Sequence, residues 1–452
     1  MSIKNLLIAL TPGVLKPYWA RLEASALGYR LAHGASWSFV GGLVSRVSGV
    51  FASIIVARLL GKGGFGEYGI IQSTVGMFAV FAGFGMGLTS TKFVAEFRRR
   101  DPEKSGRIII LSEAVAWTTG IIMAAILYFI APWLSQQTLA AARLTEVLRI
   151  GCPLLLLTGI NGAQMGALAG FESFKRIAHI NLVSGVAAFP LIVWGAIWGG
   201  LNGTVWGLVI STLVSCVLAH IVLRDEATKA GVPLRIRGCE KEWGVLSKFS
   251  LPLLIANLMV GPVNWASGAM LFNRPGGDAQ MGAFAAANQW FTALLFFPNL
   301  LGQSVLPMMS ERLSVADNRR SFQLLKLSIG LNSFLVVPII ILGLASPLIM
   351  AWYGQEFRSD WKTLCFTLFT AGLLAIQMPV GQIIIASGKI WPGLLMNIGW
   401  AFVYLSGAWL LVGHGAAGVA AARLAAYVVH ASWTFWFALI ILRNDRCTVS
   451  RD

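Results

Sequence analysis

Twelve apolar runs of about 20 residues alternate with short polar connections along the chain. A helix rises about 1.5 Å per residue, so a run of this length crosses the ~30 Å hydrocarbon core of a bilayer. Because that core offers no water to backbone polar groups, each run must form a helix that satisfies its own hydrogen bonds. The sequence therefore predicts an all-α polytopic membrane protein, with spans near 33–60, 68–90, 108–132, 146–169, 177–199, 203–223, 245–271, 282–309, 325–349, 362–386, 391–412 and 416–441.

The composition agrees with this fold class and excludes others. Of 452 residues, 56% are hydrophobic and 12% are charged, about half the charged content of an ordinary soluble domain. The net charge of +16 does not indicate nucleic-acid binding, because the basic residues lie in short connections and form no single patch. We predict no nucleic-acid partner.

The basic residues are distributed very unequally between the two sides of the membrane. One set of connections carries 24 Lys and Arg residues and the other carries five. Since Lys and Arg accumulate on the cytoplasmic side, both termini are predicted to be cytoplasmic, which requires an even number of spans. The longest outer connections, 133–145 and 350–361, are too short to form a catalytic domain.

A polar stretch near the middle divides six predicted spans from six. We therefore predict five segments, which are an N-terminal cytoplasmic or interfacial segment (1–32), an N-lobe (33–224), a cytoplasmic linker (225–244), a C-lobe (245–442) and a cytoplasmic tail (443–452). The two lobes carry a faint repeat. A shift of 216 positions pairs Arg58 with Arg274, Gly66 with Gly282, Tyr68 with Phe284 and Gln72 with Asn288. Copies of six spans insert in the same orientation, so they are predicted to be parallel repeats related by an axis along the membrane normal.

The glycine string GKGGFG (61–66) has the spacing of a dinucleotide fingerprint. That fingerprint works only between a strand and the helix that receives the pyrophosphate. Here the string lies between two membrane spans, and we predict a flexible turn at this position.

Arg46 lies near the middle of the first predicted span. A central arginine costs roughly 2.5–3.5 kcal/mol on insertion scales, and such residues usually face a bundle interior or an aqueous cavity. Two structural interpretations stay open: Arg58 reaches the outer headgroups, or Arg46 pairs with Glu113 of the third span. The functional interpretation is that Arg46, Arg58 and Arg274 line a central cavity and attract an anion, because arginine binds phosphate through parallel hydrogen bonds.

The predicted substrate site combines these arginines with three polar amides. Its members are Arg46, Arg58, Arg274, Gln72, Asn264 and Asn288. Glu113 is the candidate for coupling to an ion gradient, because it is an acidic residue well inside a predicted span. The chain shows no paired carboxylates, Ser/His/Asp set or metal-ligand spacing, so we predict no enzyme activity, catalytic residue, metal or cofactor.

Residues 45–97 (SRVSGVFASIIVARLLGKGGFGEYGIIQSTVGMFAVFAGFGMGLTSTKFVAEF) carry a family resemblance. They resemble the first two helices of polysaccharide transporters in the multidrug/oligosaccharidyl-lipid/polysaccharide (MOP) exporter superfamily. The pattern S-R-x-x-G-x(7)-A-R-x-x-G, formed by Ser45, Arg46, Gly49, Ala57, Arg58 and Gly61, is also similar to the start of bacterial lipid II flippases.

The resemblance implies two six-helix lobes around a V-shaped cavity that opens alternately to each side. It implies a flippase that moves undecaprenyl-pyrophosphate-linked oligosaccharide from the cytoplasmic to the periplasmic leaflet of a bacterial inner membrane. Arg46 matches a cavity arginine of lipid II flippases, whereas Ala52 stands where a further arginine is expected. Together with twelve spans instead of fourteen, this departure favours an O-antigen, capsule or exopolysaccharide unit as the substrate. Implied partners are the lipid-linked oligosaccharide, membrane lipids, a glycan polymerase and glycosyltransferases.

Four alternatives remain at this point. A cation-coupled multidrug antiporter of the same superfamily would need acidic cavity residues, which are scarce in the predicted spans. A lipid II flippase would share the arginine pattern. A glycan-assembly enzyme would need a sizeable outer loop, and a non-catalytic scaffold would leave Arg46 without a purpose.

Overall fold

A computed structural model describes residues 26–235, 238–251, 254, 258–299, 301–302, 318–334, 336–387 and 390–444, with most of their side chains from residue 41 onward. This part of the chain is almost entirely helical and contains no β-strand. Most of the predicted N-terminal segment 1–32 and of the tail 443–452 lies outside the described residues.

The helices are numbered in chain order. In the first half they are α1 (Ala26–Gly83), α2 (Met86–Phe97), α3 (Pro102–Trp133), α4 (Leu144–Gly151), α5 (Pro153–Gly170) and α6 (Phe174–Lys229). In the second half they are α7 (Val260–Phe272), α8 (Gly277–Leu294), α9 (Asn318–Ser333), α10 (Val336–Leu344), α11 (Ser346–Tyr353), α12 (Trp361–Ala386), α13 (Ile390–Leu411) and α14 (Gly415–Asn444).

Seven helical stretches of the described residues are long and apolar enough to cross a membrane. The chain is thus a multi-pass membrane protein, but this number does not confirm the twelve predicted spans. Three of the seven stretches contain 57, 56 and 51 residues. A straight helix of that length would measure about 77 Å or more, which exceeds twice the hydrocarbon thickness of a bilayer.

Helix α6 folds back on itself, which explains its length. Its backbone leaves the helical conformation at Gly199 and Gly200, and Gly200 has a φ of 53° that side chains other than glycine rarely adopt. The two arms then touch, because a Cβ on Gly195 would lie 2.1 Å from the carbonyl oxygen of Gly203. Small residues allow this close approach of two membrane helices.

Helices α13 and α14 form a second hairpin within the 51-residue stretch. The turn contains Gly415, which has a φ of 67°. Beyond it, a Cβ on Gly418 would lie 1.9 Å from the carbonyl oxygen of Leu411. The two helices therefore pack backbone against backbone at the start of the hairpin.

The predicted turn at 61–66 is wrong in extent. Only Gly61 leaves the helical conformation, with φ 70° and ψ 173°, and α1 continues as a helix on both sides of this kink. One glycine with positive φ is sufficient to redirect the chain, so the following glycines serve another purpose. Gly66 permits contact with α8, since a Cβ there would lie 1.8 Å from the carbonyl oxygen of Asp278.

The contact between α1 and α8 is reciprocal. A Cβ on Gly282, the repeat equivalent of Gly66, would lie 2.1 Å from the carbonyl oxygen of Lys62. Lys62 and Asp278 are also 216 positions apart. A two-fold axis produces contacts of this kind, in which residue i meets j and the equivalent of j meets the equivalent of i.

The largest group of buried side chains joins the two halves around one end of the bundle. The largest apolar cluster contains Phe65 and Ile70 of α1 together with Ala283 of α8 and Tyr353 of α11. We call this end the Gly61 end, and we call the opposite end, which carries the connection 230–243, the linker end. Two of the clusters that include residues near the linker end each stay within one half, one in the first half (Val94, Ile109, Ala167, Leu168, Phe171, Ile180, Ala219, Leu223, Ala227, Val232) and one in the second half (Leu325, Val380, Ile383, Ile384, Ala438, Ile441).

Candidate functional site

Arg46 lies on the face of α1 that is directed towards the second half of the chain. Its guanidinium carbon is 5.8 Å from the centroid of the Phe296 ring, and the Arg46 side chain is exposed. A Cβ added at Gly49 would enter open space, whereas a Cβ added at Gly42 would overlap the Phe296 ring. This face of α1 therefore packs beside Phe296 of the second half, and its role in a substrate cavity stays a prediction.

Glu113 does not neutralise Arg46, so the structural interpretation that paired them is wrong. The Glu113 carboxylate accepts a hydrogen bond of 3.1 Å from Nε2 of Gln164 and lies 3.8 Å from Nδ1 of His220. Among the described residues, no carboxylate lies within 4 Å of the Arg46 guanidinium. Arg46 is thus an intramembrane cation without an acidic partner in this part of the chain.

Arg58 is held at the Gly61 end by the second half of the chain. Its Nε donates a 2.7 Å hydrogen bond to the carbonyl oxygen of Trp352. One turn further on, Nζ of Lys62 lies 2.6 Å from a carboxylate oxygen of Asp360 and donates to the carbonyl oxygen of Glu356. Both side chains of the Lys62–Asp360 pair are only 13% exposed.

A third basic residue adds to these contacts between the halves. Arg143 pairs with Glu67 of α1, and its guanidinium also lies 3.9 Å from Asp278 of α8. We call Arg58, Lys62 and Arg143, with their partners in the second half, the Gly61-end latch. Three basic side chains thus tie the two halves together on this side through ionic or charge-assisted contacts.

The other predicted site residues lie in separate local environments. Arg274 is exposed in the turn between α7 and α8. Gln72 donates to the Tyr68 hydroxyl at 2.9 Å, and Asn264 donates to the carbonyl oxygen of Val260 at 2.8 Å. Among the described residues, no hydrogen bond joins any two of the six predicted residues, so their grouping into one cavity site stays a prediction.

Sequence reasoning missed Arg423, the charged residue that is most deeply buried in the described part of the chain. It lies on α14 and is 3% exposed. Its Nη1 donates a 3.0 Å hydrogen bond to the predicted site residue Asn288, while its Nε and Nη2 have no partner. The guanidinium carbon lies 4.4 Å from the ring centroid of Phe291 and 5.2 Å from that of Phe284.

The signal that should have identified Arg423 is the one applied to Arg46. Both residues are arginines inside predicted apolar spans, where a charge is costly and usually functional. Counting arginines by their position within spans, instead of by the family pattern, would have included it.

Glu113 lines a cavity of about 740 Å³ between α3 and the second arm of α6. His220 and Arg224 of α6 and Cys239 of the connection also line this cavity. None of the six predicted substrate residues does. Gln164, which bonds to Glu113, also contacts Nδ1 of His220 and so joins α3, α5 and α6.

A related amide–imidazole pair occurs in the second half. Gln377 of α12 contacts Nδ1 of His430 of α14, in the way that Gln164 of α5 contacts His220 of α6. Gln377 and His430 are 53 residues apart in the chain, and Gln164 and His220 are 56 residues apart. The second pair has Thr434 as a further partner where the first has Glu113.

Comparison with known proteins places this arrangement in a family. The profile of the family described as "Polysaccharide biosynthesis protein" matches residues 31–313, well over half of the chain. The chain belongs to this family. The matched region contains both α1 with Arg46 and the α1–α8 contact.

Full-length relatives of this polysaccharide biosynthesis protein agree with the assignment. It is 25% identical to "EPS I polysaccharide export inner membrane protein EpsE" of Ralstonia nicotianae over 90% of this chain and 91% of the relative. It is 22% identical to "Lipid III flippase" of Escherichia coli over 89% of this chain and 96% of the relative. Membership of this family and the names of both relatives support the resemblance to polysaccharide transporters of the MOP superfamily that the sequence of the first two helices indicated.

Solved structures give the same fold. An inward-facing multidrug resistance MATE family transporter of the MOP superfamily superposes with a TM-score of 0.73 at 15% identity, covering 89% of this chain and 96% of that one. The lipid II flippase MurJ in an inward closed conformation superposes with a TM-score of 0.68 at 14% identity, covering 91% and 90%. At these identities the likeness concerns the fold alone.

Proposed function

We propose that this protein is a flippase that moves an undecaprenyl-pyrophosphate-linked oligosaccharide from the cytoplasmic to the periplasmic leaflet of a bacterial inner membrane. The cargo would be an O-antigen, capsule or exopolysaccharide unit, as the departure at Ala52 favours; one relative is named for polysaccharide export and another as a lipid III flippase. The observation that carries the proposal is that two intramembrane arginines, Arg46 and Arg423, have no carboxylate partner among the described residues. A pyrophosphate would supply the missing negative charge.

We infer that twelve spans in two lobes would carry out this mechanism. Dividing the three longest apolar stretches at their glycine breaks turns seven candidate spans into ten. Helices α7 and α8, which contain 13 and 18 residues in the described part, would supply the other two. The reciprocal Gly66–Gly282 contact and the repeated Gln–His pair favour two related six-helix lobes.

The direction of opening follows from the latch and from the charge distribution. By the positive-inside rule, the Gly61 end would face the periplasm and the linker end the cytoplasm. The Gly61-end latch closes the former side, and opening the linker end would separate the Thr89–Ser250 and Phe93–Phe249 contacts, which join the two halves there. We infer that a V-shaped cavity opened in this way receives the polar end of the substrate from the cytoplasm.

Release would require the latch to break. Arg58 would then lose its bond to the Trp352 carbonyl and could bind the departing pyrophosphate together with Arg274, as both lie near the Gly61 end. Alternating access of this kind is a rocking of one bundle against the other around a fixed site. Gln72, Asn264 and Asn288 would bind sugar hydroxyls along the path.

The proposal is tested by replacing Arg46 with Ala and with Lys. Losing a hydrogen bond to a charged group costs about 1.5–3 kcal/mol, so we expect Arg46→Ala to slow flipping roughly tenfold or more. Arg46→Lys keeps the charge but not the two-pronged geometry and should retain part of the activity. The measurement is translocation of lipid-linked oligosaccharide in proteoliposomes, with exopolysaccharide export in cells as a second readout.

The control is Lys229→Gln, which removes a cation from the exposed end of α6. It should leave flipping unchanged at matched protein levels. Normal export by the Arg46→Ala variant would remove Arg46 from the substrate site and with it the main support for the proposal.

Glu113 remains our candidate for coupling to a proton or sodium gradient. Its carboxylate lies 3.8 Å from Nδ1 of His220 and lines a cavity that is open to the surroundings of the helices. If Glu113 couples transport to protons, Glu113→Gln should make flipping in proteoliposomes independent of an imposed pH gradient. A gradient response equal to that of the unsubstituted protein would exclude this role.

A further inference from the structure

The cavity of about 740 Å³ between α3 and α6 lies away from every residue of the proposed substrate site. Its volume is within the range of small-molecule sites. On α3 it is lined by Ile110, Glu113, Ala114 and Trp117, a stripe with helical spacing. The proposed flippase mechanism gives this cavity no occupant from the substrate path.

The mouth of the cavity faces the surroundings of the helix bundle. The large apolar side chains at and beside it are strongly exposed: Trp117 is 49% exposed, Ile121 is 53% and Ile221 is 59%. Apolar side chains that are exposed on membrane-spanning helices face acyl chains. The cavity is therefore lateral, and a lipid can enter it from the bilayer.

The cationic and titratable residues of α6 that line the cavity lie close to the end of that helix, at the depth of lipid headgroups. Arg224 lies five residues before the end of α6 and His220 nine residues before it, so they are about 8 Å and 13 Å from that end. The connection residues 231–234 close the cavity on the polar side. The cavity thus extends from the membrane interface at the linker end into the adjoining part of the apolar layer.

Charges of both signs line the cavity. Glu113 is 18% exposed and is held by Gln164 and His220. Arg224 is exposed, and the neighbouring carboxylates Asp225 and Glu226 pair with other cations instead of with Arg224. The Glu113 carboxylate and the Arg224 guanidinium, which has no carboxylate partner among the described residues, line the same space. The imidazole of His220 and the thiol of Cys239 are the other titratable groups around it.

We propose that this lateral pocket binds the headgroup of an aminophospholipid. Arg224 would bind the phosphate, which suits a guanidinium because it donates parallel hydrogen bonds. Glu113 would accept hydrogen bonds from the primary ammonium group. A purely anionic headgroup would satisfy Arg224 but leave Glu113 facing negative charge, and a choline headgroup has no N–H to donate.

The experiment uses the full-length protein, purified in detergent, stripped of lipid and titrated with dioleoyl-phosphatidylethanolamine under native mass spectrometry. We expect one molecule to bind more tightly than the rest. Phosphatidylglycerol and phosphatidylcholine should each bind this site about tenfold more weakly, because neither headgroup offers Glu113 a cationic N–H donor.

Variants identify the pocket. Arg224→Gln and Glu113→Gln should each weaken phosphatidylethanolamine binding about tenfold, while Lys229→Gln, five residues further along α6 and outside the cavity, should have no effect. Arg224 is exposed, so its variant should keep the melting temperature and test the site even if Glu113→Gln misfolds.

Equal binding of all three lipids, or an unchanged affinity in the Arg224→Gln variant, would overturn the proposal. So would an altered pH-gradient response in Glu113→Gln with unchanged lipid binding, because the acid would then serve an ion. None of these outcomes bears on flipping by Arg46 variants, so failure here is separable from failure of the flippase assignment.

Discussion

The buried guanidinium of Arg423 leads to a prediction that separates stability from function. Arg423 is 3% exposed and has one hydrogen-bond partner, Asn288, among the described residues, while its Nε and Nη2 are unsatisfied. Replacing buried ionic groups by apolar side chains of similar volume is often neutral or stabilising by about 1–4 kcal/mol. Burial of the guanidinium costs desolvation free energy. Its contacts with the rings of Phe284 and Phe291 contribute about 0.5–2 kcal/mol each and offset part of this cost.

We therefore expect Arg423→Met to keep or raise the free energy of unfolding, by up to about 3 kcal/mol, while it abolishes or strongly reduces glycan export. Asn288→Leu should lower the free energy of unfolding. It strands the guanidinium, and the loss of a hydrogen bond to a charged group costs about 1.5–3 kcal/mol. In the Arg423→Met background the same Asn288→Leu change should cost little, giving a coupling energy of similar size.

The assay is equilibrium unfolding in mixed micelles titrated with sodium dodecyl sulfate, followed by tryptophan fluorescence, with export measured in cells at matched protein levels. A loss of more than about 2 kcal/mol in Arg423→Met would show that the guanidinium is well satisfied and structural. Full export by a stable Arg423→Met protein would remove Arg423 from the transport path.

Two further predictions concern glycines. Gly66→Ala should weaken closure of the Gly61 end, because its Cβ would lie 1.8 Å from the Asp278 carbonyl oxygen. A cysteine cross-link across the latch should form more slowly in the Gly66→Ala variant than in the control Gly76→Ala, where an added Cβ meets nothing within 4 Å. Equal cross-linking rates would contradict the close contact between α1 and α8. Gly200→Ala should destabilise the α6 hairpin by about 1–3 kcal/mol because φ is 53° there. Gly199→Ala, at φ −129°, is its control in the same unfolding titration, and an equal loss would contradict the explanation by backbone strain.

Sequence patterns predicted the fold class because membrane insertion depends on local composition. The apolar runs and the charge bias of their connections both follow from residues read along single segments. The repeat at a shift of 216 also proved informative, since Gly66 and Gly282 meet in space. These features need no knowledge of which helices are neighbours.

The partners of charged side chains could not be predicted in this way. Glu113 was the expected partner for Arg46, yet it contacts Gln164 and His220, which are 51 and 107 positions further along the chain. Arg58 was expected at the headgroups or in a cavity, and its Nε instead bonds to a carbonyl oxygen 294 positions away. Such pairings depend on how helices assemble.

The amino-acid sequence by itself determined that this chain crosses a membrane many times, that its apolar segments are helical and that arginines are retained inside them. Only the tertiary structure decided that Gly66 is a contact point, that Arg423 is buried against Asn288 and that Glu113 lines a lateral cavity. The physical reason is that helix formation in a bilayer is imposed by each segment's own backbone, whereas packing between helices is set by side-chain shape and by partners distant in the chain.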